Sequence, residues 1–203
     1  MPYTPYNSST VRVGPGTIYA APLGTAEPTS ATGVWVAAWV KLGYTTGGST
    51  FTRNVTTATV DVEEEIYSLK TVTTAATGDL TFSLAEDTAT NLLLALNAGI
   101  GTSLQATSYT TLSDGSIKVE PPAPGNEARV MIGWDAVSSG GAPTDKGSRL
   151  ILRQCYQTGN LTKSNVKGNT ISTLACTFTM EKPPTANPFA FYFGTGNLGA
   201  LTP

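Results

Sequence analysis

Period-two alternation of apolar and polar side chains recurs along this chain, and only one segment carries a helical period. In GDLTFSLAE, Leu80, Phe82 and Leu84 fall on one side and Thr81 and Ser83 on the other. ARVMIGWDAV groups Val130, Ile132 and Trp134, and NTISTLACTFTMEK groups Leu174, Cys176, Phe178 and Met180. Successive side chains of a strand point to opposite faces, so each pattern predicts a half-buried strand. TATVDVEEEIYSL alternates as well, with Ala58, Val60, Val62 and Ile66 on even numbers and Thr57, Thr59, Asp61, Glu63 and Glu65 on odd ones. Read as a strand, it puts the carboxylates of Asp61, Glu63 and Glu65 on one face, about 7 Å apart. Only 13% of the residues are charged, so a column of like charge demands a reason.

The helical period belongs to EDTATNLLLALNAG, which predicts one helix over about 87–98. Asp87 is placed to cap its first amides, and Ala89, Leu92, Leu93 and Leu96 make an apolar face. Gly99 stands where a left-handed terminator belongs. Further strands are expected at GTIYAAPLG (16–24), in a pair formed by SRLILRQCY and NTISTLACTFTMEK, and at FAFYFG near the end. VWVAAWVKLGY (34–44) reads as buried. In TTGGSTFTRNV, Gly47-Gly48 signals a turn before a second extended run. Residues 101–125 read as loop, with SDGS as a turn. With 21 Gly and 13 Pro as punctuation, the prior is a mainly β fold. The organisation is one domain over 1–203: an N-terminal arm (1–15), a β core with its helix (16–182) and a C-terminal extension (183–203).

Catalytic and metal constellations find little support. The chain has no histidine, which removes Ser-His and Cys-His pairs and most transition-metal sites. Cys155 and Cys176 read as small strand residues facing each other across a hairpin, and two cysteines make no disulfide framework. Asp61, Glu63, Glu64 and Glu65 are consecutive or nearly so, whereas metal and glycosidase carboxylates converge from different elements. Trp35, Trp39 and Trp134 could build a sugar-binding platform, but their apolar neighbours favour burial. Arg53, Lys70, Arg149 and Arg153 read as surface or inter-subunit charges. A formal net charge of −2 argues against a strongly basic nucleic-acid wrapper. NLLLAL is too short to span a bilayer, and MPYTPYNSST lacks the basic and apolar regions of a secretory signal, so folding in a cytoplasm is expected. No enzyme activity and no cofactor are expected.

The order of landmarks resembles the major tail tube proteins of long-tailed, non-contractile bacteriophages. The matching stretches are GTIYAAPLGT, WVKLGYTTGGSTFT, VDVEEEIYSLKTV, GDLTFSLAEDTATNLLLALNAG and the pair RLILRQCYQTGNLTKSNVKGNTISTLACTFTMEK, together spanning most of 14–182. Loops 101–127 and 137–147 and the tail after Pro183 follow no pattern of the family. The resemblance implies a β-sandwich or partly closed barrel flanked by one helix, a fold shared with tubes of contractile tails and type VI secretion. It implies six copies per ring and stacked rings around a bore in the virion tail, assembled in the host cytoplasm. The partners it implies are further copies, a tape-measure protein, tail-terminator and tip proteins, and double-stranded DNA passing without specific binding. Asp61, Glu63 and Glu65 are then expected to face the lumen. Six copies make roughly eighteen like charges per ring, repelling a polyanion that a basic wall would hold. Gly47, Gly48, Phe51, Arg53 and Asn54 are expected in an inter-ring or inter-subunit loop. The rival readings are another self-assembling virion component, such as a head decoration or tail-completion protein, and a carbohydrate-binding β-sandwich.

Overall fold

The computed structural model describes residues 16–137, 146–163 and 171–194. The N-terminal arm expected over 1–15, the middle of the 137–147 loop and the end of the C-terminal extension lie outside the described residues. The strands in chain order are β1 (Gly16–Pro22), β2 (Val40–Lys41), β3 (Thr45–Val60), β4 (Lys70–Leu84), β5 (Tyr109–Thr111), β6 (Ile117–Val119), β7 (Val130–Val137), β8 (Lys146–Gln157), β9 (Leu174–Met180) and β10 (Phe189–Phe193). One α-helix, α1 (Ala89–Ala95), follows β4.

Eight strands form one antiparallel sheet in the order β2-β1-β7-β8-β9-β4-β3, and β5 and β6 make a separate small hairpin. Strand β8 is the branch point. Its Cys155–Gln157 end pairs with β9, while Ser148–Leu152 on the same edge pairs with β10. The sheet curls until its two ends share one core, and the fold is a mainly β sandwich without barrel closure. The inward positions are those the alternation marked. Leu80, Phe82 and Leu84 of β4, Val130 and Ile132 of β7, and Leu174, Cys176 and Phe178 of β9 are all buried, with Trp134 packed against them. Burial of each such side chain is worth roughly 1.5–3 kcal/mol, so these strands carry the stability of the body.

A second layer covers the outer face of β1, β7 and β8. Ala21, Met131 and Ile151 lie under Trp39, with Tyr19, Trp35 and Tyr192 packed at the margin. The segment carrying Trp35 and Trp39 is largely irregular rather than the wholly buried run that VWVAAWVKLGY suggested. Trp39 and Leu42 are buried, but Val34 and Tyr44 are exposed. The Trp35 ring lies so close over Gly133 that a Cβ there would come within 2.2 Å of it. Trp35 stacks on Tyr19 at 4.5 Å, and its indole N–H donates to Asp135 Oδ2 at 2.9 Å.

Arg149 corrects the expectation of a surface charge: its side chain is fully buried. Its guanidinium donates to both Asp135 oxygens, at 2.6 and 3.1 Å, and to the Ser30 carbonyl at 2.9 Å. It also sits 4.1 Å from the centre of the Trp35 ring. A charge tolerates burial only when paired and hydrogen-bonded, and Arg149 is both. The alternation of β8 hid this residue because its position falls on the outer face, which is solvent only if nothing covers it.

The helix is shorter than expected and capped by other residues. Thr88, not Asp87, is its N-cap, accepting from the Asn91 amide at 3.2 Å; Asp87 pairs instead with Lys163 at 2.7 Å. Asn97, not Gly99, is the first left-handed residue after the helix, at φ 58°. The Asn97 and Ala98 amides donate back to the carbonyls of Leu94 and Leu93, the pairing of a Schellman terminator. Gly99 is also left-handed, at φ 93°, two residues farther on. The side chain of Asn97 bonds both ways with the Gln157 backbone, at 2.8 Å each, which explains why asparagine stands there. The buried face is Asn91, Leu93, Leu94 and Ala95, not the expected Ala89, Leu92, Leu93 and Leu96. Asn91 turns inward because its amide donates to the carbonyls of Leu42 and Glu86.

Two further expectations are corrected. Residues 101–125 hold the β5–β6 hairpin, with the SDGS turn at its tip, closed by Asp114 accepting from Ser116. Cys155 and Cys176 do not face each other: Cys155 is opposite Val130 and Met180, and Cys176 is opposite Phe82.

Candidate assembly surface

Strands β3 and β4 form a hairpin far longer than the body it grows from. Its root is anchored where Leu80, Phe82 and Leu84 enter the core and Phe51, opposite Leu80, packs against it. Beyond Arg53 and Gly78 the ribbon leaves the body. Every residue from Thr52 to Val60 is exposed, as is the returning strand from Lys70 to Thr77 except half-buried Val72. Val and Thr favour this extended backbone, and the cross-strand ladder satisfies it. No strand pairs with the far edge of β3 among the described residues. Strand β9 pairs with β4 only from Asp79 to Leu84, so among the described residues the rest of that edge is open as well.

Gly47-Gly48 does not turn the chain. It makes a bulge inside β3, between the pairs Thr46–Ser83 and Ser49–Phe82, with φ of 75° and 83°. Only glycine takes such angles at no steric cost, and bulges of this kind bend and twist a strand. The stretch of Gly47, Gly48, Phe51, Arg53 and Asn54, expected as an inter-ring or inter-subunit loop, is therefore strand with a bulge at its glycines and not a loop. Phe51 is partly buried in the subunit, 5.3 Å from the ring of Phe189, whereas Arg53 and Asn54 are exposed. A second bulge lies in β4, where Thr74 is the extra residue between the pairs Thr56–Ala75 and Thr57–Thr73 and its hydroxyl donates to the Thr56 carbonyl at 3.2 Å.

The distal ribbon is two-faced. The pairs Thr57–Thr73 and Thr59–Thr71 put hydroxyls on one side, and Ala58–Val72 with Val60 puts methyl groups on the other. Strand pairing stops at Val60, opposite Lys70. Asp61, Glu63 and Glu65 consequently do not form a strand face but belong to the hairpin tip. There the Leu69 amide donates to the Val60 carbonyl and Glu65 to Val62. Consecutive like charges favour a solvated reversal over a ladder in which they would oppose one another. The same tip exposes Ile66 (96%), Tyr67 (84%) and Leu69 (66%). The sequence reading absorbed these residues into the strand alternation; three large apolar side chains directly after an acidic run were the signal it passed over.

A second exposed apolar stripe runs along β10. Phe189, Phe191 and Phe193 share a face, with ring centres 5.9 and 6.1 Å apart, and Phe191 and Phe193 are about half exposed. On the opposite face, Tyr192 donates to Glu27, which also takes two bonds from Arg153 at 2.5 and 3.1 Å. Arg153 foremost, then Tyr192, hold the Glu27 carboxyl below its usual pKa against the opposing effect of burial. Arg129 does the same for Glu181, donating two bonds of 3.1 Å. Both pairs tie loops to the sheet.

The tryptophans offer no exposed platform for sugar: Trp39 is 6% exposed, Trp35 is stacked and Trp134 packs on the core. Among the described residues, no three His, Cys, Asp or Glu side chains gather as metal ligands, and no helix is long and apolar enough to cross a membrane. What stands out is an arm with open edges and apolar patches, on a body whose own interior is closed. No curated protein matches the chain. The family model for "Phage tail tube protein" matches residues 4–136, from ahead of β1 to the end of β7 and including the whole β3–β4 arm. The chain belongs to the phage tail tube protein family, as a structural component of the virion tail.

Proposed function

We propose that this subunit builds the tube by closing six copies into a ring and stacking the rings, and that DNA passes through the bore during ejection. The observation that carries this is the β3–β4 arm. A two-stranded ribbon with solvent on both faces is marginal in water, and an open edge strand is a template for another chain. Pairing between neighbours would satisfy those edges and cover the methyl face of Ala58, Val60 and Val72. Ring closure and stacking both need a surface that meets a different surface on the next copy, and an arm separated from its body supplies one. Further copies are the main partner in this reading. A tape-measure protein inside the bore and terminator and tip proteins at the ends complete it.

Electron microscopy of the purified protein at rising concentration tests this. Long hollow tubes with six-fold end views support it. Closed rings, or monomers at every concentration even with preformed tail tips as seeds, overturn it.

The acidic tip has two placements within the same reading. In the first, Asp61, Glu63 and Glu65 face the bore and repel passing DNA, a field that salt screens over ~8 Å. In the second, the tip sits on a neighbouring copy, which the exposed Ile66, Tyr67 and Leu69 favour. Reversing the three carboxylates to lysine separates them: intact tubes with impaired DNA ejection support the first, and loss of tubes supports the second.

A further inference from the structure

We infer that the hairpin tip of one copy docks in a cleft at the hairpin root of the next; this rests on the tube reading and gives its contact a specific address. The cleft, of about 520 Å³, opens where β10, the end of β9 and the arm diverge, and is lined by Arg53, Ala76, Met180, Lys182, Pro188 and Phe189. Its apolar floor adjoins Phe51, 5.3 Å from Phe189 and 5.7 Å from Phe191. Arg53 and Lys182 are its charged residues, and neither has an ion pair or side-chain hydrogen bond among the described residues. The tip presents the complementary set. Asp61, Glu63, Glu64 and Glu65 likewise lack ion pairs, and Ile66, Tyr67 and Leu69 are exposed beside them.

The occupant is the tip of a second copy, because a subunit's own tip cannot reach its own cleft and the tip carries the charges that complement it. Tip and root are separated by the ladder from Arg53–Gly78 to Val60–Lys70, a span on the order of 25 Å. The contact joins unlike surfaces, so each docked copy presents a fresh tip and a fresh cleft. Such a contact propagates instead of closing as a dimer. Apolar side chains entering a pocket with charges at the rim is also how interface anchors gather most of their energy.

Charge exchange provides the test. Glu63→Lys/Glu64→Lys/Glu65→Lys (tip reversed) and Arg53→Glu/Lys182→Glu (cleft reversed) alter exposed or half-exposed positions, and circular dichroism verifies their folds. Each variant alone is expected to lose at least tenfold in polymer yield by sedimentation. An equimolar mixture is expected to recover, because each reversed tip then finds an oppositely charged cleft. The chain carrying all five substitutions is also expected to recover. A second measurement works without long polymers. Asn187 also lines the cleft, so in a Tyr67→Cys/Asn187→Cys chain oxidation is expected to give a head-to-tail covalent ladder; Cys155 and Cys176 are buried and do not interfere. Tubes from both reversed variants at wild-type yield, or folded double-cysteine protein that stays monomeric on oxidation while wild type polymerises, overturns the docking and leaves the tube reading standing. Wild type that never polymerises, with no ladder, overturns both.

Discussion

Removing the guanidinium of Arg149 should be the most damaging single change to the subunit body. In Arg149→Met the hydrocarbon stem is kept but Asp135, itself 2% exposed, loses its two charge-assisted bonds. Breaking a buried pair from one side costs about 3–5 kcal/mol, because the surviving buried charge loses its counter-ion. The Ser30 carbonyl loses its donor and Trp35 loses the cation over its ring, while Asp135 keeps the Trp35 indole donor, so the whole of that range applies. With a urea m-value of about 2 kcal/mol/M, suited to a domain of this size, the midpoint falls by about 1.5–2.5 M. Tryptophan fluorescence follows the transition, and Trp35 reports directly on the site. The double variant Asp135→Asn/Arg149→Met removes both charges and should regain part of the loss, since no buried carboxylate is then left without its counter-ion. A loss below about 1 kcal/mol for Arg149→Met, or no recovery in the double variant, would refute the claim that this pair fastens the Trp35 segment to the sheet.

Three more outcomes follow from the same geometry. Burial raises the Cys155 thiol well above its usual pKa and that of Cys176 to about 12, so neither should react with a thiol reagent at pH 8 until denaturant unfolds the chain; rapid labelling of native protein would contradict this. Glu27 has a lowered pKa in the folded state, so the stability it adds is present above its ordinary value of 4.5 and lost as pH falls through the folded value. The urea midpoints of wild type and Glu27→Gln should therefore differ at pH 7 and draw together as pH falls below 4.5. Gly48→Ala forces a side chain into a left-handed angle at about 1–2 kcal/mol and should re-aim the arm, lowering tube yield more than it lowers the midpoint of the body; a tube yield at wild-type level would show that the bulge does not set the arm's direction.

Much of the body was legible because its physics is local and one-sided. Leu80–Phe82–Leu84, Val130–Ile132 and Leu174–Cys176–Phe178 alternate since one face meets a core and the other does not, and the sheet uses them that way. The helix was visible from its leucines. Its ends and rotation were not, because Asn91 and Asn97 are buried for the sake of backbone groups on distant segments. Arg149 was hidden for a related reason: an outer-face arginine is exposed unless another stretch of chain lies over it, and no local pattern announces that. The arm defeated the alternation differently. Thr57 to Val60 alternate and are strand, yet neither side has a core behind it, and the pattern runs on past Val60 into a loop. Periodicity shows that two faces differ, not whether either is buried within the subunit.

An exposed arm of this kind has to avoid the wrong partners as well as find the right one. An edge as long as that of β3 invites uncontrolled pairing, which natural sheets restrain with bulges and edge charges. Here one bulge breaks β3 and another its partner β4, and Arg53 and Lys70 stand along the ribbon. The tip meets a sharper demand. Ile66, Tyr67 and Leu69 could pack against the same residues of another tip, and that symmetric contact would end growth at a dimer. Four carboxylates at the tip make tip-to-tip approach an encounter of like charges, which costs energy at contact distances even in salt. A surface bearing unpaired positive charge carries no such penalty. In the proposed assembly the acidic run would thus favour open-ended growth whichever way the assembled tip points: it closes the self-complementary route and leaves the head-to-tail one.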